Sequence, residues 1–408
     1  MKKRVVITGM GIVSPLGCDV ETAYANAIAG MNAIKEIDSF DTSDLKVKIG
    51  AQVLDFDAEK HLSKREIRRQ DLFSQYAVYA AKEAYLDSGI EGHINPEDIG
   101  VIVGSGMGGM QTFAQDLNKA FDGGYGKIPP MFIPMIIPNM AAGNVAIALN
   151  AQGHCTCVAT ACAAGTHAIG DGYRMVANGD QVAMVVGGSE AGVSPYTLAG
   201  FNALTALSRN EDSSQASKPF DKDRDGFVLG EGAGILILEE REHAVARGAK
   251  IYGEMAGYGS TCDAYHITAP SGVGAQRAMA NAIKEAGISH NQLDYINAHG
   301  TSTPLNDEFE TNAIKAVLGE DAYNVSISST KSMHGHALGG TGGIEAVLTV
   351  KTIQEDMIPP TINFTDGGEN DLDYTPNVAK ARVVNYAMSN SLGFGGHNAV
   401  IIMKKGDL

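Results

Sequence analysis

The sequence predicts an α/β fold, and three features carry that prediction. Short apolar runs bounded by glycine recur along the 408 residues, the spans between them have helical periodicity, and the order of the pieces repeats once. The first run, "RVVITGMG" (4–11), is rich in β-branched residues and ends in Gly-x-Gly. Its basic and then apolar start is too short for a secretion signal and has no small-residue cleavage pattern, so it reads as a first strand and the protein as cytoplasmic. "QYAVYAAKEAYLDSG" (75–89) is a helix that stops at glycine, and "IGVIVGSGMGG" (99–109) is the next strand. The segment 122–139 has glycines and no clear period, so it is expected to be loop. "HCTCVATAC" (154–162) is expected to be a buried strand, followed by strands in "VAMVVGGSEA" (182–191) and "AGILILEE" (233–240).

A second series begins at "IYGEMAGYGS" (251–260), again a strand ending in Gly-x-Gly. The helix "AQRAMANAIKEAGIS" (275–289) follows, then strands in "DYINAHGTST", "VSISSTKS" and "YAMSNSLGFGGHNAVIIM". The pattern suggests an internal duplication, with an N-terminal half at 1–248, a C-terminal half at 249–408, and the charged "EEREHAVARGAK" (239–250) bridging them.

Composition excludes several function classes. With 44% apolar residues the chain can bury a large core, and no run approaches the roughly 18 apolar residues of a membrane span. A formal charge of -16 opposes general nucleic-acid binding. Five irregularly spaced cysteines argue for reduced thiols rather than a disulfide framework, and Cys155 and Cys157, two apart, fit alternation in a buried strand rather than a redox or zinc pair. "GSGMGG" (104–109) matches a dinucleotide fingerprint, but no acidic residue ends a second strand about 20 residues on. "DKDRDGFVLGEG" resembles a calcium loop through Asp221, Asp223, Asp225 and Gly226, yet Gly232 holds the closing position and Glu231 falls one early, so a salt-bridged structural turn is expected.

Cys162 is the candidate nucleophile. It lies where the strand "HCTCVAT" meets the helix "CAAGTHAIGDGYRMV", a strand-to-helix elbow whose small residues keep the sulfur reachable. A helix N-terminus there would favour thiolate, and free N–H groups could hold an oxyanion. The bland reading is a small buried hydrophobe. His299 in "NAHGTSTPLND", and Lys331 with His336 in "STKSMHGHALGGTGG", also sit at strand ends in glycine-rich settings, which favours a shared site.

"TACAAGTHAIG", "PFDKDRDGFVLGEGAG", "YGSTCDAYHITAP", "NAHGTSTPLND", "STKSMHGHALGG" and "SNSLGFGGHNAV" resemble, in order, motifs of the elongating, type II β-ketoacyl-acyl-carrier-protein synthases, and the similarity spans essentially the whole chain. The resemblance implies a thiolase-like, five-layered αβαβα duplicated fold, a homodimer, and a Cys-His-His site at Cys162, His299 and His336. It implies decarboxylative condensation of an acyl group on Cys162 with malonyl-acyl-carrier protein in fatty acid elongation. No resident cofactor is implied, since the phosphopantetheine arm arrives on the acyl-carrier protein. By the same resemblance, Lys331 with Glu345 orients the histidines, the N–H groups of Cys162 and Phe394 form an oxyanion hole, and Phe394 gates the acyl pocket. Thr301 and Thr303 match pantetheine contacts, Met107 matches an acyl-pocket position, and Asn297, Glu345 and Asn390 lie where some relatives bind a monovalent cation.

The chain departs from the family pattern at His334, where threonine is usual, and at Met107, where isoleucine is common. Other readings of the same fold are a polyketide-type ketosynthase, a thiolase, which would need a second catalytic cysteine beyond Cys262, and a non-catalytic chain-length subunit, which should lack Cys162. A nicotinamide-dependent oxidoreductase would need the missing acidic ribose ligand. For docking the acidic carrier, "KREIRRQ" places Lys64, Arg65, Arg68 and Arg69 at helical spacings that would share one helix face, and Arg209 matches a further basic position near the tunnel mouth. The alternative for this cluster is an ordinary solvated helix surface.

Overall fold

The computed structural model describes residues 2–406. Ten strands form its central framework: β1 (Val5–Val13), β2 (Ile99–Gly104), β3 (Cys155–Val158), β4 (Ala183–Ala191), β5 (Glu231–Glu240), β6 (Gly253–Cys262), β7 (Tyr295–Asn297), β8 (Ser326–Ser328), β9 (Tyr386–Gly393) and β10 (His397–Lys404). Their spatial order is β8-β7-β9-β10-β6-β1-β5-β4-β2-β3. Read outward from the middle, each half runs first, fifth, fourth, second, third strand. The pairing senses match too: first with fifth and fourth with fifth antiparallel, second with fourth and second with third parallel. The halves join where Val5–Ile7 of β1 pairs with Gly253–Met255 of β6. The duplication suggested by the two Gly-x-Gly strands is therefore present in the topology.

Six helices complete the layers: α1 (Leu72–Ser88), α2 (Met140–Leu149), α3 (Ala164–Asn178), α4 (Val273–Ala286), α5 (Pro304–Leu318) and α6 (Thr341–Glu355). α1 covers one outer face, against β1 and β5, and α4 covers the other, against β6 and β10. α3 and α6 lie between the two strand sets and touch both. The result is a five-layered αβαβα stack. The middle helices are buried on nearly every side; all thirteen residues Thr341–Ile353 of α6 are buried.

Such tight layering needs residues without side chains at the crossings. A Cβ on Gly165 of α3 would stand 2.8 Å from Gly339 O and 3.0 Å from Gly343 N, and one on Gly343 would stand 2.1 Å from Gly234 O of β5. These helices approach one another and the strands backbone to backbone, so the segments just before them, which carry Cys162 and His336, come together.

Three expectations are corrected. β3 is not buried: it is the terminal strand of the sheet, so Cys155 and Thr156 are exposed and only one edge of the strand is paired. Lys64, Arg65, Arg68 and Arg69 do not share a long helix face. The helix there is the single turn Lys64–Ile67, closed at its start by a Ser63–Glu66 capping box and ended at Arg68, because Asp71 begins α1 as a buried N-cap. All four basic side chains are nonetheless exposed. The charged bridge starts late, since Glu239 and Glu240 belong to β5, and only Arg241–Ala246 forms a connecting helix. Glu239 is buried and accepts from Arg247 twice at 2.7 Å and from Thr8 at 2.8 Å.

Within 122–139 the chain forms a short helix, Phe132–Ile136, whose Met135 and Ile136 backbone lies against Gly108 and Gly109. Among the described residues no helix is long and apolar enough to cross a membrane.

Candidate active site

The elbow is built by one strained residue. Ala161 has φ +49°, a left-handed conformation that costs of order 1–2 kcal/mol for a residue with a Cβ. It turns the chain from β3 into the one-turn helix Ala161–Ala163, which leads into α3. Cys162 therefore sits in the turn before the helix. Gly393 permits the opposite wall to close: a Cβ there would lie 2.9 Å from Thr160 O and 3.3 Å from Cys162 N. The backbone N–H groups of Cys162 and Phe394 each pull the sulfur's pKa down.

A cavity of about 370 Å³ leads to this thiol, and Cys162, His299, His336, Thr301, Thr303 and Phe394 are among its walls. The structure thus gathers residues from four separate motifs. The rings of His299 and His336 stand edge to face with centroids 5.4 Å apart, and Phe227 packs on His336 at 5.3 Å. His336 Nδ1 lies 3.0 Å from Thr341 Oγ1, and its Nε2 is buried without a partner among the described residues. With the Thr341 hydroxyl donating to Nδ1, the ring proton rests on Nε2, leaving that N–H for a substrate oxygen. Among the described residues neither ring nitrogen of His299 has a hydrogen-bond partner, and its Nδ1 is fully buried.

Lys331 and Glu345 form a buried ion pair, Nζ to Oε1 at 2.5 Å. Burial, with Lys331 and a nearby histidine (His336 for His299, His334 for His336), holds His299 and His336 well below the usual imidazole range, so both rings are neutral at physiological pH. Burial also pushes the Cys162 thiol up to about 12, against the opposing pull of Lys331 and the two amides. The resting group is a thiol. This corrects the expected thiolate: the sulfur keeps an opening to the cavity but is otherwise enclosed, and loss of hydration outweighs the one-turn helix beside it.

Several positioning groups were not legible in the sequence. Glu310 accepts from the N–H of His299 and of Gly300, each at 2.8 Å, and Asp307 accepts from those of Thr301 and Ser302 at 3.0 and 3.1 Å. Their i, i+3 spacing on α5, directly after "NAHGTSTP", is the signal that could have found them. Thr301 and Thr303 hydroxyls lie 2.9 Å apart on the cavity wall.

Met107 does not line this cavity. With Cys162 and Phe201 it packs against an apolar cluster that contains Leu198, Val193 and Leu338, and of that cluster Leu338 lines the cavity. The amides of Gly106 and Met107 in the fingerprint-like loop are occupied by the Glu190 carboxylate. In the calcium-like turn, Asp221 accepts from the N–H groups of Asp223, Thr365 and Asp366, and Asp225 accepts from Ser208 and the Arg209 N–H. The turn is held as a structural one, and it leaves Arg209 exposed beside the cavity residues Leu204, Thr205 and Ala206. His334 is fully buried, with Nε2 2.9 Å from Thr330 Oγ1, and burial and Lys331 depress it to about 3, so it is a neutral core group.

Comparison with known proteins agrees with this arrangement. Residues 2–244 match the family model described as the β-ketoacyl synthase N-terminal domain, and 252–365 match that of the C-terminal domain. A 3-oxoacyl-[acyl-carrier-protein] synthase 2 of Synechocystis sp. is 52% identical, the match covering 99% of this chain and 98% of that one. The protein of the same name from Staphylococcus aureus strain COL is 50% identical with equal coverage. Among solved structures, one described as a type II PKS acyl-carrier protein in complex with its ketosynthase bound to the hexaketide matches with a TM-score of 0.92 and 34% identity, over 100% of both chains.

Proposed function

The chain belongs to the β-ketoacyl synthase family, and from that premise we propose that Cys162, His299 and His336 carry out the decarboxylative condensation of fatty acid chain elongation. The enzyme is a 3-oxoacyl-acyl-carrier-protein synthase of the type II class. One observation carries the assignment of roles: a reachable thiol between two amide N–H groups and two neutral imidazoles with free ring nitrogens face a single cavity.

The chemistry requires each type. Cys162 attacks the acyl-carrier thioester; a new C–S bond forms, the old one breaks, and the proton Cys162 loses ends on the departing carrier thiol. A sulfur nucleophile suits this step because its product is again a thioester and stays activated. Malonyl-acyl-carrier protein then enters, its C–C bond to the carboxylate breaks, and carbon dioxide leaves with the electron pair remaining as an enolate. The N–H groups of His299 and His336 stabilise the enolate oxygen. The enolate carbon attacks the acyl carbonyl, the amides of Cys162 and Phe394 hold the resulting oxyanion, and as it collapses the C–S bond to Cys162 breaks, releasing 3-oxoacyl-carrier protein and a Cys162 thiolate that takes a proton from water to restore the thiol. Lys331, paired with Glu345, orients this field without touching substrate. Thr301 and Thr303 serve the pantetheine arm, and that arm, arriving on the carrier, replaces any resident cofactor.

Three finer statements belong to the same reading. Asn297 Oδ1, Asn390 Oδ1 and Glu345 Oε2 are buried oxygens that no donor among the described residues satisfies, a set suited to a monovalent cation, which would offset carboxylate charge at Glu345. A second copy of the chain covers the exposed edge of β3, giving the homodimer. The free state of all five cysteines supports a reducing, cytoplasmic setting.

Incubating the protein with a mixed pool of acyl-carrier proteins and digesting it tests the central claim: Cys162 should carry the acyl mass, and added malonyl-carrier protein should discharge it with release of carbon dioxide. An acyl group on any other cysteine would refute the assignment.

Docking has its own test. Lys64, Arg65, Arg68, Arg69 and Arg209 are the exposed basic groups proposed to receive the acidic carrier on a chain of charge -16. Arg68→Glu with Arg69→Glu should raise KM for carrier-bound substrate about fivefold to tenfold at low salt, with the difference shrinking as salt rises. Turnover of a small pantetheine thioester should be unchanged; equal losses on both substrates would assign the cluster to the fold.

A further inference from the structure

Glu190, at the end of β4, is fully buried yet lies in no step described so far. Its carboxylate joins three segments. Oε1 accepts from Ser105 Oγ at 2.9 Å and from the Met107 N–H at 3.1 Å; Oε2 accepts from the Gly106 N–H at 2.6 Å and from the Gly339 N–H at 3.1 Å. Ser105 Oγ in turn accepts from Gly108 N–H at 3.0 Å. One side chain therefore ties the turn after β2, which carries Met107, to the turn after His336, which carries Leu338.

Each turn is also tied elsewhere, Gly109 N–H to Ile136 O at 3.0 Å and Gly340 N–H to Ala337 O at 2.8 Å, so what Glu190 adds is the bridge between them. A Cβ on Gly339 would stand 2.3 Å from Gly106 N, and one on Gly192 would meet Met107 Cε at 3.3 Å and Leu338 Cδ1 at 3.6 Å. Leu338 is cavity wall, and Met107 packs against the apolar cluster to which it belongs. We propose that Glu190 is a positioning residue that sets both acyl-length preference and thiol reactivity, by clamping the Met107 turn against the Leu338 turn and by placing its carboxylate beside the Cys162 turn, where a Cβ on Gly106 would stand 3.0 Å from Glu190 Oε2 and 3.5 Å from Ala161 O. The inference rests on the reading of Cys162 as the acyl carrier and deepens it.

An acceptor-only group is required here, because four donors converge on two oxygens. In Glu190→Gln an amide NH₂ must face either the Gly106 and Gly339 N–H groups or the Ser105 and Met107 donors, so one pair of contacts is lost and one turn is freed. The charge has its own consequence. Burial pushes Glu190 itself up to about 7 against the pull of its four donors, so it is charged near pH 8, and there it raises the pKa of both Cys162 and Cys157, while Lys331 acts on Cys162 in the opposite sense.

The test uses the full-length protein and two readouts. In Glu190→Gln, the ratio of turnover with long to medium acyl-carrier proteins should rise about threefold or more, because the Leu338 turn, which is cavity wall, is no longer clamped to the Met107 turn and can yield to a longer chain. Alkylation of Cys162 by iodoacetamide at about pH 8 should become about threefold to tenfold faster, as loss of the negative charge increases the thiolate fraction. Alkylation of Cys18, whose acidic neighbours are Asp19, Asp55 and Glu83, should not change. A folded variant with the wild-type acyl profile and wild-type Cys162 alkylation overturns the proposal, and so does equal acceleration at Cys18, which would mean general loosening. Should Glu190→Gln fail to fold, Ser105→Ala removes one of the four donors and should shift the acyl profile in the same direction; a wild-type profile in that variant also overturns it. The alkylation arm needs no carrier substrate, so its result stands apart from failure of wild-type Cys162 to accept an acyl group, which would instead strike at the function.

Discussion

Cys162→Ala should reduce condensation on the order of 10⁴-fold or more, because no other thiol lines the cavity and the reaction has no route without a covalent acyl intermediate. The fold should survive. Cys162 lies in a turn of small residues, and removal of one sulfur atom beside an open cavity creates little new void. The informative companion is Cys162→Gln, whose neutral amide resembles an acylated thiol in shape and in offering a carbonyl oxygen to the amides of Cys162 and Phe394. It should retain decarboxylation of malonyl-carrier protein while losing condensation. Following carbon dioxide release and 3-oxoacyl product separately distinguishes the two activities; condensation within tenfold of wild type in the alanine variant would remove Cys162 from the mechanism.

His299→Ala and His336→Ala should each lower decarboxylation by about 10²- to 10³-fold, the usual cost of deleting one preorganised donor to a developing oxyanion. Acylation of Cys162 should persist in both. The separation follows from what the rings touch: their unpartnered nitrogens are free for the enolate, and the acyl oxyanion is held by backbone amides instead. Because both rings sit well below the ordinary imidazole range, they should act as neutral donors across the neutral pH region, and decarboxylation should show no loss from their titration there. Near wild-type decarboxylation after loss of either ring would show that a single donor suffices.

The strands and the main helices were readable because their apolar runs are long and their glycine boundaries clear. β9 and β10, for example, are the two arms of "YAMSNSLGFGGHNAVIIM", paired across the Gly393–His397 turn. Cys162, His299, Lys331 and His336 could be singled out because each ends a strand in a glycine-rich setting. What the sequence concealed depended on distant partners. β3 has the composition of a buried strand, yet its place at the end of the sheet is set by the order of nine others. The basic cluster has helical spacing, but the competing N-cap at Asp71 ends its helix after one turn. The thiol's protonation is a balance between enclosure and local dipoles, and enclosure comes from Phe394 and Leu338, far along the chain. Glu190 is the sharpest case, since its four donors come from 105–107 and 339 and no local pattern connects them.

The close crossing of α3 and α6 also limits how this enzyme can be altered. At Gly165, Gly234 and Gly343 even one added methyl group would collide with backbone that has no side chain to move aside, so the crossing that carries the site is closed to incremental redesign. The cavity itself is lined by side chains, among them Phe201, Leu204, Leu338 and Phe394, that can be enlarged, trimmed or rotated independently. Variation in substrate scope, whether selected in a laboratory library or accumulated by drift, is thereby channelled to the cavity lining while the crossing is held by its packing.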